Sequence, residues 1–248
     1  MEARRLDLTS VDGLPLVSTD HLRSFGSTVV VAPHPDDESL GCGGAIALLR
    51  EMAVSVTIVV LSDGTLSHPN SVEYPQERLR DLRESELLEA ASILGVASDS
   101  IEFFRYIDRG VPTSDSRQFD EAVNRLGKVL NKSRASTIFV PWRRDPQPDH
   151  RAAFEIVDFA TDSRHLIIEY PIWLNHLASP ADIPLSSEVD AFCIDISSVL
   201  NKKQLAITAH KSQTTDLIKD DPGGFCLGPE ILESFAAPFE IYLRSVTT

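Results

Sequence analysis

The chain predicts an α/β fold: a mostly parallel central sheet with helices over both faces. Short β-rich runs alternate with longer helical segments, the pattern that parallel strands and crossover helices leave in a sequence. The first two runs, 27–32 (STVVVA) and 56–61 (VTIVVL), are continuously apolar, as strands covered on both faces must be. Two conspicuous loops, 62–74 and the Pro-rich 141–149, each follow a strand, where α/β proteins place function.

In chain order, the strand at 27–32 leads through a glycine cluster into a helix over 39–51, rich in Ala, Leu and Ile. After the strand at 56–61, the helix over 75–94 carries Leu79, Leu82, Glu86, Leu87, Ala90, Ala91 and Leu94 at a 3.6-residue rhythm, and Gly95 stops it. Further strands are expected at 101–106, 137–140, 166–170, 191–196 and 240–243, and helices at 119–130, 149–160 and 199–210. Segment 214–229, which contains Asp221-Pro222-Gly223-Gly224, reads as a loop over some other part of the molecule. There is no internal repeat or low-complexity tract, and 248 residues suit one domain over 1–248.

The bulk numbers exclude several classes. A chain of this length buries roughly 70–75% of its unfolded surface and needs no disulfide staple. A formal net charge of −14 argues against nucleic acid and anionic membranes, which need clustered Lys and Arg. No stretch approaches the ~20 apolar residues of a spanning helix, and the N-terminus shows no signal-peptide pattern. The three scattered cysteines, Cys42, Cys193 and Cys226, read as reduced thiols, so the expected location is cytoplasmic.

The chemistry concentrates in Pro33-His34-Pro35-Asp36-Asp37-Glu38, directly after the first strand. In a turn confined by two prolines, the imidazole of His34 and the carboxylate of Asp37 can converge on one point, a donor pair that suits zinc. Asp36 would point elsewhere, free to address a water on the metal. A catalytic zinc site takes a third protein ligand, and the best candidate is His150 in Asp145-Pro146-Gln147-Pro148-Asp149-His150, after another apolar strand. A lone Asp-Asp pair is ordinarily a solvated turn, and a lone His before a helix is ordinarily a cap. The conjunction of the two motifs, each behind its own strand, favours the metal.

These residues resemble the PIG-L/LmbE-like family of zinc-dependent N-deacetylases. The resemblance rests on VVVAPHPDDESLGCGG (29–44) and on Pro148-Asp149-His150. It is extended by Ser62-Asp63-Gly64, by the helix with Arg83, Glu86, Ala90, Ala91, Leu94 and Gly95, and by Ala209-His210-Lys211-Ser212-Gln213. It implies a Rossmann-like three-layer fold, one zinc per chain on His34, Asp37 and His150, and Asp36 as general base. It also implies removal of an N-acetyl or N-acyl group from a small molecule such as an amino sugar or glycoconjugate. Another divalent ion could replace zinc on such a set. Many relatives carry a histidine three residues before the last ligand, with a role in stabilising the tetrahedral intermediate. Here that position is Gln147, so Gln147, His210, Arg144 or a substrate group must supply the oxyanion donor.

Around this centre, Glu38 either orients His34 or caps a helix, and Asp149 either holds a ligand histidine or favours a helix start. Arg83, His68 and Arg144 are the candidate substrate contacts. Trp142 and Trp173 could stack on a sugar or simply pack. Three rival functions remain: an amidase removing a larger acyl or conjugate group, a non-hydrolytic nucleotide- or sugar-binding Rossmann-like protein, and a phosphoesterase. The second lacks a G-x-G-x-x-G loop, and the third usually needs two metals and more ligands. The expected partner is a small N-acylated substrate, and a homo-oligomer is compatible with the sequence.

Overall fold

The apolar runs of the sequence become one eight-stranded sheet in the computed structural model, which describes residues 4–246. The strands are β1 (Leu16–Val17), β2 (Thr28–Ala32), β3 (Val56–Ser62), β4 (Ile101–Tyr106), β5 (Thr137–Pro141), β6 (Leu166–Tyr170), β7 (Val189–Asp195) and β8 (Phe239–Ser245). Their spatial order is β1-β7-β8-β6-β5-β2-β3-β4. Every neighbouring pair is parallel except those made by β8, which runs against both β6 and β7. The helices are α1 (Thr19–Arg23), α2 (Asp37–Glu51), α3 (Gln76–Ile93), α4 (Phe119–Ser133), α5 (Pro148–Ala160), α6 (Leu174–Leu177), α7 (Leu200–Ala209), α8 (Lys211–Thr214) and α9 (Pro229–Ser234).

Successive strand residues point to opposite faces, and this alternation divides the core. Val30, Ile58, Val60, Phe139 and Ile168 pack with Ile46 and Leu49 of α2, Leu87 and Ala91 of α3 and Ala206 of α7. Val29, Val31, Val59, Leu61, Ile138 and Val140 pack on the other face with Leu126 of α4 and Ala153 and Ile156 of α5. Seven of the eight strands and the five long helices lie where the sequence predicts them. Two-residue β1 and the short α1, α6, α8 and α9 do not show in the sequence pattern, and α2 starts at Asp37, two residues earlier than expected.

Helix α2 is buried almost all round, so it needs small residues where neighbours come close. A Cβ on Gly41 would lie 2.3 Å from the Tyr170 ring, and one on Gly44 would lie 2.4 Å from Ile196 Cγ2. From β8, the buried Glu240 carboxylate accepts the backbone N–H groups of Gly44 and Ala45, both at 2.8 Å. Lys203 of α7 donates to the same carboxylate at 2.8 Å and the Tyr242 hydroxyl at 2.7 Å. Four donors on one carboxylate satisfy a charge that would otherwise be costly to bury.

The topology sets the site. From β2 the chain builds outwards through β3 and β4, then returns to the opposite side of β2 for β5 and β6. The carboxyl ends of β2 and β5 therefore flank the switch point, where connections leave in opposite directions and open a crevice. His34 follows β2, and His150 lies in the first turn of α5, after β5. Among the described residues, no helix is long and apolar enough to cross a membrane, and Cys42, Cys193 and Cys226 are free thiols.

Candidate functional site

The turn after β2 is held in an unusual shape. Asp36 has φ 138° and ψ −28°, a positive φ that side-chain-bearing residues avoid. Such strain, of order 1–3 kcal/mol, persists only where the surroundings over-determine it. Here the buried Glu38 carboxylate accepts the Asp36 N–H at 3.1 Å. The buried Arg83 guanidinium donates to Pro35 O at 2.6 Å, to Gly64 O at 2.7 Å and to Asp36 Oδ2 at 3.1 Å. Arg83 needs a close approach to reach Gly64, where φ is +63° and an added Cβ would fall 2.3 Å from its nitrogen.

His34, Asp37 and His150 meet at the switch point. Asp37 Oδ2 lies 3.2 Å from His34 Nδ1 and 3.3 Å from His150 Nε2, and the two imidazole rings are 5.5 Å apart. One donor atom from each of the three falls within 4.8 Å of the others, so the set could hold a metal ion. The burial makes the fit specific. His150 is wholly buried, and neither of its ring nitrogens makes a well-aligned hydrogen bond among the described residues. Each has only a carboxylate close by, Asp37 at 3.3 Å from Nε2 and Asp145 at 3.2 Å from Nδ1, so a cation between Nε2 and Asp37 would satisfy both. Imidazole and carboxylate are the donor types of a catalytic zinc centre with three protein ligands.

Further carboxylates hold the two imidazoles from behind. Asp145, with no exposure, places Oδ1 3.2 Å from His150 Nδ1 and accepts the N–H groups of Gln147 (3.0 Å), Trp173 (3.1 Å) and Ile172 (3.4 Å). Asp108 and Asp149 each lie 3.3 Å from His34 Nε2. With His34 they form a second possible donor grouping, but they serve equally as acceptors for an Nε2–H, which frees Nδ1 towards Asp37. Asp149 is itself held by the N–H groups of Arg109 (2.7 Å) and Val111 (3.3 Å).

The charges respond to this crowding. Burial works against protonated His150, yet Asp37 and Asp145 outweigh it and raise the imidazolium pKa to about 9. Burial likewise opposes the charge on His34, but Asp108, Asp149 and Asp37 carry it well above the ordinary value. Asp37 is held far below the usual carboxylate range, because the two histidines overcome the burial that would raise it. Asp36 differs. Burial pushes it up to about 6, with Arg83 pulling the other way, so it changes protonation close to neutral pH.

A cavity of about 640 Å³ opens above this centre, with His34, Asp36, Asp37, Arg83, Gln147 and Asp149 among its lining residues. Gln147 caps α5 through Oε1, which accepts the N–H groups of Asp149 and His150, and this leaves its amide nitrogen 3.2 Å from His34 Nε2. If Nε2 carries the ring proton, the Gln147 NH2 finds no acceptor there and remains a donor to the cavity. Arg83 lines the cavity while paired to Asp36. Glu38 makes no hydrogen bond to His34 among the described residues. It holds the Asp36 backbone and, at 3.1 Å, His210.

Three residues singled out from the sequence lie off the cavity wall. His210 is buried behind the start of α2, against Glu38 and Ser39. His68 is buried under Gly224, where an added Cβ would fall 2.1 Å from its ring. Arg144 is occupied by Glu188 and by the carbonyls of Ala181 and Ile183, and it lies 4.7 Å from the centre of the Trp142 ring. Trp142 itself is wholly buried and donates to Asp182 O, whereas Trp173 does line the cavity. Sequence reasoning missed Asp145 and Asp108. Asp108 follows β4, so the strand-end logic that found His34 and His150 would also have flagged it.

A buried His-Asp-His donor set that could hold a metal, with a strained carboxylate beside it at the switch point of a parallel sheet, has the groups that a metal-dependent hydrolase needs. A family model described as PIG-L, GlcNAc-PI de-N-acetylase, matches residues 29–161, and the chain belongs to that family. Membership puts it among the amide-hydrolysing N-deacetylases. A probable N-acetyl-alpha-D-glucosaminyl L-malate deacetylase 2 of Bacillus cereus is 28% identical over 199 residues, covering 77% of this chain and 86% of the relative. Among solved structures, the N,N'-diacetylchitobiose deacetylase of Pyrococcus horikoshii superposes with a TM-score of 0.65 at 24% identity, over 89% of this chain and 83% of that one. A 4-carboxy-2-hydroxymuconate hydratase of Pseudomonas putida does so with a TM-score of 0.64 at 20% identity, over 90% and 97%. These two structures show the fold alone, and deacetylases share it with a hydratase.

Proposed function

We propose that the protein removes an N-acetyl or N-acyl group from an amino sugar or glycoconjugate, with one zinc ion on His34, Asp37 and His150 and with Asp36 as general base. The observation that supports the reading is the convergence of buried His34, Asp37 and His150 across the two β-α loops, with one donor atom from each within 4.8 Å of the others and the Asp36 carboxylate beside them. Bound there, zinc supplies a Lewis acid and lowers the pKa of a water from ~15.7 towards ~7.

The rest is the work of the chain. The Asp36 carboxylate takes the proton of the attacking water and passes it to the departing nitrogen, which an amide requires because its anion is a very poor leaving group. Arg83, 3.1 Å away, holds that carboxylate in one orientation. The Gln147 NH2 is positioned to donate to the oxygen on which negative charge develops, a contribution typically worth ~100–1000-fold. Asp145, Asp108 and Asp149 fix the two imidazoles. The three free cysteines support a cytoplasmic location.

The test is acetate release from N-acetylglucosamine and its conjugates by zinc-loaded protein. Asp36→Asn is expected to lower turnover by ~10²–10⁴-fold, the range of general acid–base catalysis, while keeping stoichiometric zinc. Full activity in that variant would remove Asp36 from the reaction. Absence of zinc from protein grown and purified with it would remove the metal.

A further inference from the structure

Besides the carboxylates, the cavity has a lining of a different character. Trp173, Leu177, Phe225, Leu227 and Ile231 line it without a charge among them. Leu177 is 65% exposed and Phe225 41% exposed, so these two leave apolar surface uncovered, whereas Leu227 is buried. This apolar wall is nevertheless a built surface. The Trp173 and Phe225 rings meet edge to face, 6.0 Å apart. Phe225 N–H donates to Ser67 O at 2.6 Å, and Leu227 N–H to Gln213 O at 2.7 Å. Trp173 N–H donates to Asp145, the carboxylate that also holds His150, so the wall and the metal centre share an anchor.

All five residues lie beyond residue 161, outside the family match, whereas His34, Asp36, Asp37 and His150 lie within it. The wall is thus built from the part of the chain that follows the family match, set beside machinery that lies within it. We propose that the substrate carries an apolar substituent, an aryl ring or a short alkyl chain, adjoining its scissile amide and seated against this wall. The proposal rests on the deacetylase reading above. A bare sugar could stack a C–H face on Trp173, but hydroxyls brought against Leu177 or Ile231 would lose hydrogen bonds to water and gain none. An aryl or alkyl group displaces that water favourably. A cavity of about 640 Å³ also falls in the ~300–1,000 Å³ range of sites for drug-sized ligands, large enough for such a group beside an amino sugar.

The substituent can sit on the amine side of the amide or on the acyl side, and the test separates the two. Three substrates are compared by kcat/KM on zinc-loaded protein: N-acetylglucosamine, its phenyl glycoside, and N-hexanoylglucosamine. At least one of the last two is expected to exceed the first by about tenfold or more, ~1.4 kcal/mol. The one that does so identifies the side. Phe225→Ala and Leu177→Ser, both at exposed positions, are expected to cut that ratio at least about threefold, with unchanged urea midpoints as the check on folding. Equal kcat/KM for all three overturns the proposal and leaves the deacetylase reading standing.

If none is hydrolysed, the deacetylase reading fails, and a binding measurement still decides the wall. Trp173 fluorescence is titrated with phenyl and with methyl β-glucoside. Tighter binding of the phenyl compound, lost in Phe225→Ala, supports the proposal, and equal binding overturns it.

Discussion

Replacing Asp145 by Asn tests whether the metal centre is held from behind. Four donors converge on this carboxylate: Gln147 N–H and His150 Nδ1 on one oxygen, Ile172 and Trp173 N–H on the other. An amide of the same shape offers one accepting oxygen and one NH2, so whichever way it turns, two buried donors face a donor. Each unsatisfied buried group costs ~1–3 kcal/mol, giving a stability loss of roughly 2–6 kcal/mol from a domain total of ~5–15. If the amide keeps its oxygen on the main-chain pair, His150 loses its acceptor and its fixed tautomer. Loss of such a partner typically weakens metal affinity or activity by 10–100-fold. Zinc affinity is read by competition with a chromophoric chelator, and stability by urea denaturation of metal-free protein. An Asp145→Asn variant that binds zinc within twofold of the parent and unfolds at the same urea concentration would refute the argument.

Zinc loading is expected to release about two protons at neutral pH. Without metal, His150 titrates at about 9 and His34 well above its ordinary value, so both carry a proton at pH 7 that a metal must displace. Affinity should therefore rise with pH up to about 9, and calorimetry in buffers of different ionisation enthalpy counts the protons; release of none would contradict the assignment. A general base must be ionised, so kcat/KM should fall as pH drops through the pKa of Asp36, which is about 6 before a metal adds its charge. A nearby cation favours the carboxylate, so the acid limb of the loaded enzyme should lie at or below pH 6, and a limb well above 6 would assign it to another group. Gly44→Ala puts a methyl group 2.4 Å from Ile196 Cγ2, and overpacking of this kind costs ~1–3 kcal/mol; an unchanged urea midpoint would show that α2 can shift freely.

How much of this could be read from residues alone depended on length and locality. The long strands and helices were legible because apolar periodicity accumulates over many residues. Leu16–Val17 is too short to carry a period, and the four-residue helices α6 and α8 are likewise invisible. The direction of β8 leaves no trace in its composition, since an apolar strand reads the same either way. Its one anomaly, Glu240 inside a buried run, becomes intelligible only with α2 and Lys203 beside it.

At the site, His34, Asp36 and Asp37 stand together in one turn, and His150 shares a compact motif, so the donor set was visible before the fold was. Asp108 acts on groups brought from distant segments, His34 and Leu66 N–H, and Asp145 joins its neighbours Gln147 and His150 to the distant Ile172 and Trp173. The cavity wall comes from 173–177 and 225–231, loop residues and the short helices α6 and α9, too brief to carry a pattern. Arg144 and His68 look free in the sequence, but Glu188 and Gly224 engage them in the fold.

The carboxylate of Glu240 has a consequence for where this molecule can be cut. It reaches from a strand near the C-terminus into the middle of the helix that begins with Asp37, about two hundred residues earlier in the chain, and grips two of its amides. A fragment trimmed to residues 29–161, the stretch that the family model matches, would retain every donor of the proposed zinc set, yet leave that helix without its buttress and half the sheet without partners. Attempts to shorten the protein to a minimal catalytic unit should accordingly yield a chain that has the ligands but cannot assemble them.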